Sequence, residues 1–238
     1  MLAGCGAHHA AGPPSPPVSR YCGTPPGGLQ VATEWLRTRD GVRLYTATAG
    51  KGDTTLVLAH ESGGVGLCGW LPVMAHLAQH GIHTVAFDFR GVSPSDIPRS
   101  EAKFQNLGPD LQAAIDAAGT KHVFLMGASM GGAAAITFGP ALHGIDGIVN
   151  LSGELNLPTS HLDAIANASK LRVPLLIVAS RDDPYLDASD AGKLSRVSGS
   201  SDTKLILLPG RYHGWDMLDI APMRKQLWAQ ILAWVAAH

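Results

Sequence analysis

A serine, an aspartate and a histidine follow three separate apolar segments of the chain, in that order. Ser129 lies in residues 127–131, which read Gly-x-Ser-x-Gly after an apolar segment and before a run of small residues. A sharp strand-to-helix turn of this kind exposes the serine hydroxyl and directs the free N–H groups of the helix at it. Because a serine is a weak nucleophile alone, the pattern predicts a partner base and an acid that orients the base.

Asp183 and His213 are the residues predicted for those two roles. Each stands shortly after a predicted strand, the first after residues 174–179 and the second after residues 204–208. The carboxyl ends of parallel strands meet at one edge of a sheet, so the three side chains can converge there. Asp182 is the alternative acid. If these residues are not catalytic, Ser129 belongs to a turn that serves tight packing, and His213 is a polar histidine in a loop.

The elements that must position these residues alternate between strand and helix. Apolar runs predict strands at residues 42–48, 54–59, 83–87, 122–126, 145–151, 174–179 and 204–208. Helical spacing predicts helices at residues 70–79, 106–118, 133–138 and from Pro222 onward. The alternation predicts an α/β protein whose mostly parallel sheet is flanked by helices on both faces.

Two further motifs accompany the serine turn. Residues 88–95 read Asp-x-Arg-Gly-x-x-x-Ser, and Gly214 directly follows His213. With these motifs the chain resembles the α/β-hydrolase superfamily, and within it the small lidless serine esterases similar to bacterial dienelactone hydrolases. Between the predicted strands that end at residue 151 and begin at residue 174 there is room for one helix only, so no cap domain is expected. The resemblance implies that the protein cleaves small, short-acyl carboxylic esters through an acyl-enzyme intermediate and that neither cofactor nor metal is needed. It favours Asp183 as the acid, because Pro184 follows it.

The resemblance also implies an oxyanion hole and an acyl pocket. The backbone N–H groups of Met130 and Ser62 are the predicted oxyanion donors. Glu61 stands where relatives usually carry glycine, and His60 is interpreted as a structural brace for this loop. The residues predicted to line the pocket, with ordinary core packing as the alternative, are Leu67, Trp70, Tyr185 and Trp215.

A glycine-rich segment offers a competing interpretation. Residues 64–69 read Gly-x-Gly-x-x-Gly between a strand and a helix, and Asp88 ends the next strand, as in a dinucleotide site. Four residues separate the strand from the first glycine, however, whereas a pyrophosphate loop needs that glycine close to the strand end. Dinucleotide binding would also leave the Ser-Asp-His series unexplained.

Composition narrows the classes of partner. The formal net charge is −1 and charged residues make up 16% of the chain, against a typical value of about 25%. Without a basic field, nucleic-acid binding is not expected.

The alternatives to a carboxylic esterase that stay open are a thioesterase, a lactonase or a peptidase of the same fold, and a catalytically silent binding lipoprotein. Oligomeric state is left open.

The first 28 residues are rich in Pro and Gly and nearly uncharged, which predicts a flexible tether (1–28) before one folded domain (29–238). The opening Leu-Ala-Gly-Cys resembles a bacterial lipobox with Cys5 as the lipidation site. Only Met1 precedes it here, so either a signal lies upstream of this sequence or the match is coincidental. A lipid there would be the sole membrane attachment. Cys22 and Cys68 then form an even pair, which predicts a disulfide and an exported cell-envelope protein. The alternative is two thiols in a cytoplasmic enzyme.

Overall fold

The computed structural model describes residues 14–96 and 106–238. Within these ranges the strands are β1 (Ala32–Arg37), β2 (Arg43–Ala49), β3 (Thr54–Ala59), β4 (His83–Phe87), β5 (His122–Ala128), β6 (Gly147–Leu151), β7 (Asn156–Leu157), β8 (Leu162–Asp163), β9 (Leu175–Ser180) and β10 (Thr203–Leu208). The α-helices are α1 (Ser19–Cys22), α2 (Leu71–Gln79), α3 (Gly108–Asp116), α4 (Met130–Phe138), α5 (Ala164–Ala168), α6 (Ala188–Val197), α7 (Asp216–Asp219) and α8 (Arg224–Ala237).

Eight strands form one sheet in the order β1-β2-β4-β3-β5-β6-β9-β10. β2 pairs antiparallel with both β1 and β4, and every other pair is parallel. Parallel strands require crossover connections, and helices supply most of them here. The predicted fold class, a mostly parallel sheet flanked by helices, is confirmed.

The central strand β3 shows why both faces are covered. Leu56 and Leu58 pack into a cluster with side chains of α2 and α8, whereas Val57 and Ala59 pack into a second cluster with α3, α4 and α6. Alternate residues of a strand point to opposite faces, so a strand buried on both sides is apolar throughout. That requirement explains the unbroken apolar run that predicted β3.

The seven predicted strands all occur, with bounds that differ by at most two residues. Sequence patterns missed the edge strand β1, which alternates exposed and half-buried residues and includes the exposed Glu34. They also missed α6, whose mean composition is polar. Its N-terminal signal is Asp187, whose carboxylate accepts a hydrogen bond from the Asp190 N–H.

The segment before Leu29 differs from the predicted tether. Val18 is buried in the core, the Tyr45 hydroxyl donates to the Pro16 carbonyl at 2.8 Å, and Thr33 donates to the same carbonyl at 3.0 Å. A Pro-rich segment has few backbone donors, but its carbonyls and apolar rings can still pack. The folded domain therefore includes residues 14–28, and the predicted boundary moves toward the N-terminus. Cys5 and the rest of residues 1–13 lie outside the described residues.

The connection between β6 and β9 contains a short β7–β8 hairpin and the five-residue helix α5. One helix was expected there, and the hairpin is additional. No cap domain occurs in the described residues. None of the helices in residues 14–96 and 106–238 has both the length and the apolar character needed to cross a bilayer.

Candidate active site

Ser129 occupies the turn between β5 and α4. Its backbone has φ 48° and ψ −117°, a conformation rare for a residue with a side chain. A Cβ at Gly127 would overlap the Gly131 backbone, and one at Gly131 would overlap the Ala59 carbonyl. Small residues at both positions are thus required for the strand to turn this sharply against the end of β3.

His213 and Asp183 form a direct pair. The His213 Nδ1 lies 2.9 and 3.0 Å from the two carboxylate oxygens of Asp183. Asp183 is buried, whereas Asp182 is exposed and contributes a backbone N–H to the Gly210 carbonyl. The structure therefore brings Asp183, and not the alternative Asp182, to the histidine.

The electrostatics of the pair favour an ionised acid and a basic imidazole. Burial opposes ionisation of Asp183, but hydrogen bonds from His213, Ser152 and the Tyr185 N–H outweigh it and lower its pKa. Burial likewise opposes protonation of His213. The hydrogen bond to Asp183 and the nearby charges of Asp183, Glu61 and Glu154 outweigh that burial and raise the pKa of His213. An imidazole held in this way has Nδ1 engaged and Nε2 available.

The topology places all of these groups at one edge. β5, β6, β9 and β10 are successive neighbours in the sheet and are parallel. Ser129, Asp183 and His213 follow three of them, and Ser152 follows β6. Ser152 and Glu154 were not predicted from the sequence. The signal that marks them is their position directly after a buried strand, between the strands that carry Ser129 and Asp183.

The loop after β3 lies against the serine turn, because the Gly131 backbone approaches the Ala59 and His60 carbonyls. Ser62 is exposed in this loop, and Met130 is the first residue of α4. The His60 Nε2 accepts a hydrogen bond from the Phe89 N–H at 3.1 Å, and its Nδ1 contacts the Glu61 carbonyl. Burial lowers the pKa of His60 to about 4, so the ring is neutral and braces the loop.

The four predicted pocket residues separate into two pairs. The Tyr185 ring lies 4.8 Å from the His213 ring and is 58% exposed, and Trp215 is half-buried two residues after His213. Leu67 and Trp70 are fully buried in the core. Those two are therefore core residues, because their side chains are enclosed in the apolar cluster that they share with β3 and α2.

The glycine-rich segment has a structural role. The Asp88 carboxylate accepts a hydrogen bond from the Leu67 N–H at 2.6 Å and fills the space that a Cβ of Gly66 would occupy. Burial raises the pKa of Asp88 to about 7. Since the carboxylate is buried against the glycine turn itself, it is not open to a ribose. Among the described residues, no group of three or more His, Cys, Asp or Glu side chains could hold a metal ion.

Sheet order, strand directions and the serine turn together define the α/β-hydrolase fold, which the motifs had predicted. Residues 54–165 match the model of the family described as serine aminopeptidase, S33. No curated protein has a significantly similar sequence.

Solved structures share the fold at low sequence identity. An esterase from Pyrococcus furiosus superposes with a TM-score of 0.70 at 17% identity, covering 96% of this chain and 98% of that one. A monoacylglycerol lipase from Paleococcus ferrophilus gives 0.68 at 17%, covering 82% and 99%. An enol-lactonase from Burkholderia xenovorans gives 0.68 at 13%, covering 86% and 100%.

Proposed function

We propose that this protein is a serine hydrolase that cleaves carboxylic esters through an acyl-enzyme intermediate. The observation that carries the proposal is the Asp183–His213 pair, held at the sheet edge that also carries the serine turn. The esterase, lipase and lactonase found among the structural neighbours all act at an acyl carbon, which supports the same class of reaction.

The proposed reaction has two halves. The Nε2 of His213 takes the proton of Ser129 as its Oγ bonds to the ester carbonyl carbon, and the backbone N–H groups of Met130 and Ser62 stabilise the oxyanion. The imidazolium, balanced by Asp183, returns the proton to the leaving alcohol as the C–O bond breaks. A water then attacks the acyl-enzyme with the same proton transfers, which releases the acid and regenerates Ser129.

A fluorophosphonate probe tests the proposal. We expect covalent labelling at Ser129 and none in Ser129→Ala, with the fold of both checked by circular dichroism. A folded protein that is not labelled would instead favour the catalytically silent binding lipoprotein. A panel of ester, thioester, lactone and aminoacyl-peptide substrates then distinguishes an esterase from a thioesterase, lactonase or peptidase.

Because the described residues contain no cap domain, we propose an open site that prefers short acyl chains. Turnover of p-nitrophenyl acetate and butyrate should exceed turnover of the palmitate ester, with no activation at a lipid–water interface. Faster hydrolysis of emulsified long-chain esters would contradict this preference.

We also propose that the protein is exported. A disulfide joins Cys22 to Cys68, which supports an oxidising compartment. Peptide mapping without reductant should recover the cross-linked pair from protein isolated from its native cell, together with a lipid-modified Cys5 peptide. Two freely alkylated thiols would favour the cytoplasmic alternative.

A further inference from the structure

Glu61 links the loop after β3 to the segment that carries the base. Its Oε1 accepts a hydrogen bond from the Trp215 N–H at 3.0 Å, across 154 positions of sequence. The same oxygen occupies the space that a Cβ of Gly214 would fill. Gly214 has φ 51°, so both its backbone conformation and the Glu61 carboxylate require a glycine. These two contacts fall on the two residues that directly follow His213.

Glu61 is itself held in place from the other side. Because the Phe89 N–H donates to His60 Nε2, the proton of the neutral ring lies on Nδ1, which donates to the Glu61 carbonyl. The Glu61 backbone is thereby tied to the chain just after β4. A glycine at position 61 would have no side chain to reach the histidine segment.

The opposite side of that segment is packed against the core. The Trp215 ring meets the buried Trp70 edge-on, with centroids 5.4 Å apart, and a Cβ at Gly69 would overlap it. Trp215 is therefore fixed by its ring on one side and through its N–H by Glu61 on the other. His213, two residues earlier, gains its orientation from Asp183 and from this anchored segment.

The Glu61 carboxylate also lies in an acidic neighbourhood. The pKa of Glu61 is raised, mainly by burial and also by the charges of Asp216 and Asp183. The Trp215 N–H and His213 act in the opposite direction. The charges of Asp183, Glu61 and Glu154 each raise the pKa of His213. A second and a third carboxylate are thus available to stabilise the imidazolium that forms during acyl transfer.

We propose that Glu61 is a positioning residue for the base: its carboxylate fixes the segment after His213 through the Trp215 N–H and stabilises the imidazolium by its charge. The inference rests on the proposed function, since it assigns a role relative to the Ser129 reaction.

Two substitutions separate the hydrogen bond from the charge. Glu61→Gln removes the charge but retains an oxygen that can accept from Trp215, whereas Glu61→Ala removes both. Glu154→Gln removes a nearby charge without a hydrogen bond to the histidine segment. Glu34→Gln makes the same charge change on the exposed edge strand β1 and serves as the matched control.

The measurements are kcat and KM for p-nitrophenyl butyrate, and the rate of fluorophosphonate labelling, each from pH 5 to pH 9. For Glu61→Ala we expect the plateau kcat to fall about 10–100-fold with KM changed by less than about threefold, because misplaced catalytic groups cost rates of this size. Glu61→Gln should recover most of that plateau. Both Glu61 variants should move the acid limb of the pH–rate profile to lower pH, because a histidine with less negative charge nearby loses its proton more readily. Glu154→Gln should move the limb alone, and Glu34→Gln should change neither quantity.

A Glu61→Ala protein with wild-type plateau kcat and an unmoved acid limb would overturn the inference. So would equal plateau losses in Glu61→Gln and Glu61→Ala, because the retained hydrogen bond would then have no effect. If Glu61→Ala does not fold, the acid limb and plateau of Glu61→Gln decide the question. Failure of the proposed function is distinct, because the folded wild type would then not be labelled, or Ser129→Ala would be labelled or turn over substrate as fast as the wild type.

Discussion

Two buried polar clusters lie at the carboxyl edge of the same sheet, one after β4 and the other at the serine turn. After β4, the Arg90 guanidinium binds Asp110 at 2.6 Å and Asp40 at 2.7 Å. Ser95 accepts from the Tyr45 N–H and donates to the Asp88 carbonyl, both at 2.7 Å. Both hydrogen-bonding roles of this serine are therefore used within the protein, and we call this group (Arg90, Asp110, Asp40 and Ser95) the closed cluster.

The cluster at the serine turn is not closed in this way. Asp183 and His213 satisfy each other, but the Ser129 hydroxyl makes no hydrogen bond with another residue in the described part of the chain. The cation also differs, because an arginine stays protonated at every ordinary pH whereas a histidine changes charge near neutrality. Similar residue types thus stabilise the fold where every polar group has a hydrogen-bond partner. They are available for chemistry where one group, here the Ser129 hydroxyl, has no such partner among the described residues.

The largest difference between the clusters should appear in activity. Ser129→Ala or His213→Ala should lower turnover of p-nitrophenyl butyrate by about 10⁴–10⁶-fold, because either change removes the proposed nucleophile or base. Ser95→Ala is the matched serine change in the closed cluster. It should lower the melting temperature, with kcat in the folded protein much less affected. Comparable activity in Ser129→Ala and wild type would contradict the proposed site.

The acid should show a smaller but still large effect. Asp183→Asn should lower kcat by about 10⁴-fold, because an amide stabilises the wrong imidazole tautomer and does not balance the imidazolium. Asp182→Asn is the matched control on the adjacent, exposed residue and should change kcat by less than about threefold. A reversed order of the two effects would show that the acid assignment is wrong.

Substitutions in the closed cluster should lower the free energy of unfolding instead of the activity. Arg90→Ala leaves the fully buried Asp110 without its guanidinium, and breaking a buried pair typically costs about 3–5 kcal/mol of unfolding free energy. Arg43→Ala, at the half-exposed pair with Asp96, should destabilise much less. Urea unfolding curves measure both. A smaller loss for Arg90→Ala than for Arg43→Ala would contradict the comparison.

The disulfide should have the smallest effect of the four. Replacing Cys22 and Cys68 by serine opens a covalent loop with a sequence separation of 46, and should lower the unfolding free energy by about 2–4 kcal/mol through chain entropy. The Ser129 labelling rate should stay close to that of the wild type in the folded protein. Cys22→Ser alone would leave an unpaired thiol, so the double variant is the one to measure by urea unfolding. An unchanged unfolding midpoint would show that packing alone holds α1 on the domain.

The pattern of strands was readable from the sequence because burial on both faces demands continuous apolar runs. The half-exposed β1 lacked that signature, and α6 buries only Ala191 and Leu194, so both elements were missed. Likewise, the Gly-x-Ser-x-Gly turn is required by local backbone geometry, so it can be recognised from adjacent residues.

Contacts between distant segments were decided only by the tertiary structure. Neighbouring residues do not show that Trp70 is enclosed by the core while Trp215 lies near His213, or that a Pro-rich segment packs on Tyr45. Nor do they show that the Glu61 carboxylate reaches the Trp215 N–H. These outcomes depend on which strands become neighbours and which loop ends meet, because a side chain's burial and partners are set by packing across the whole sheet.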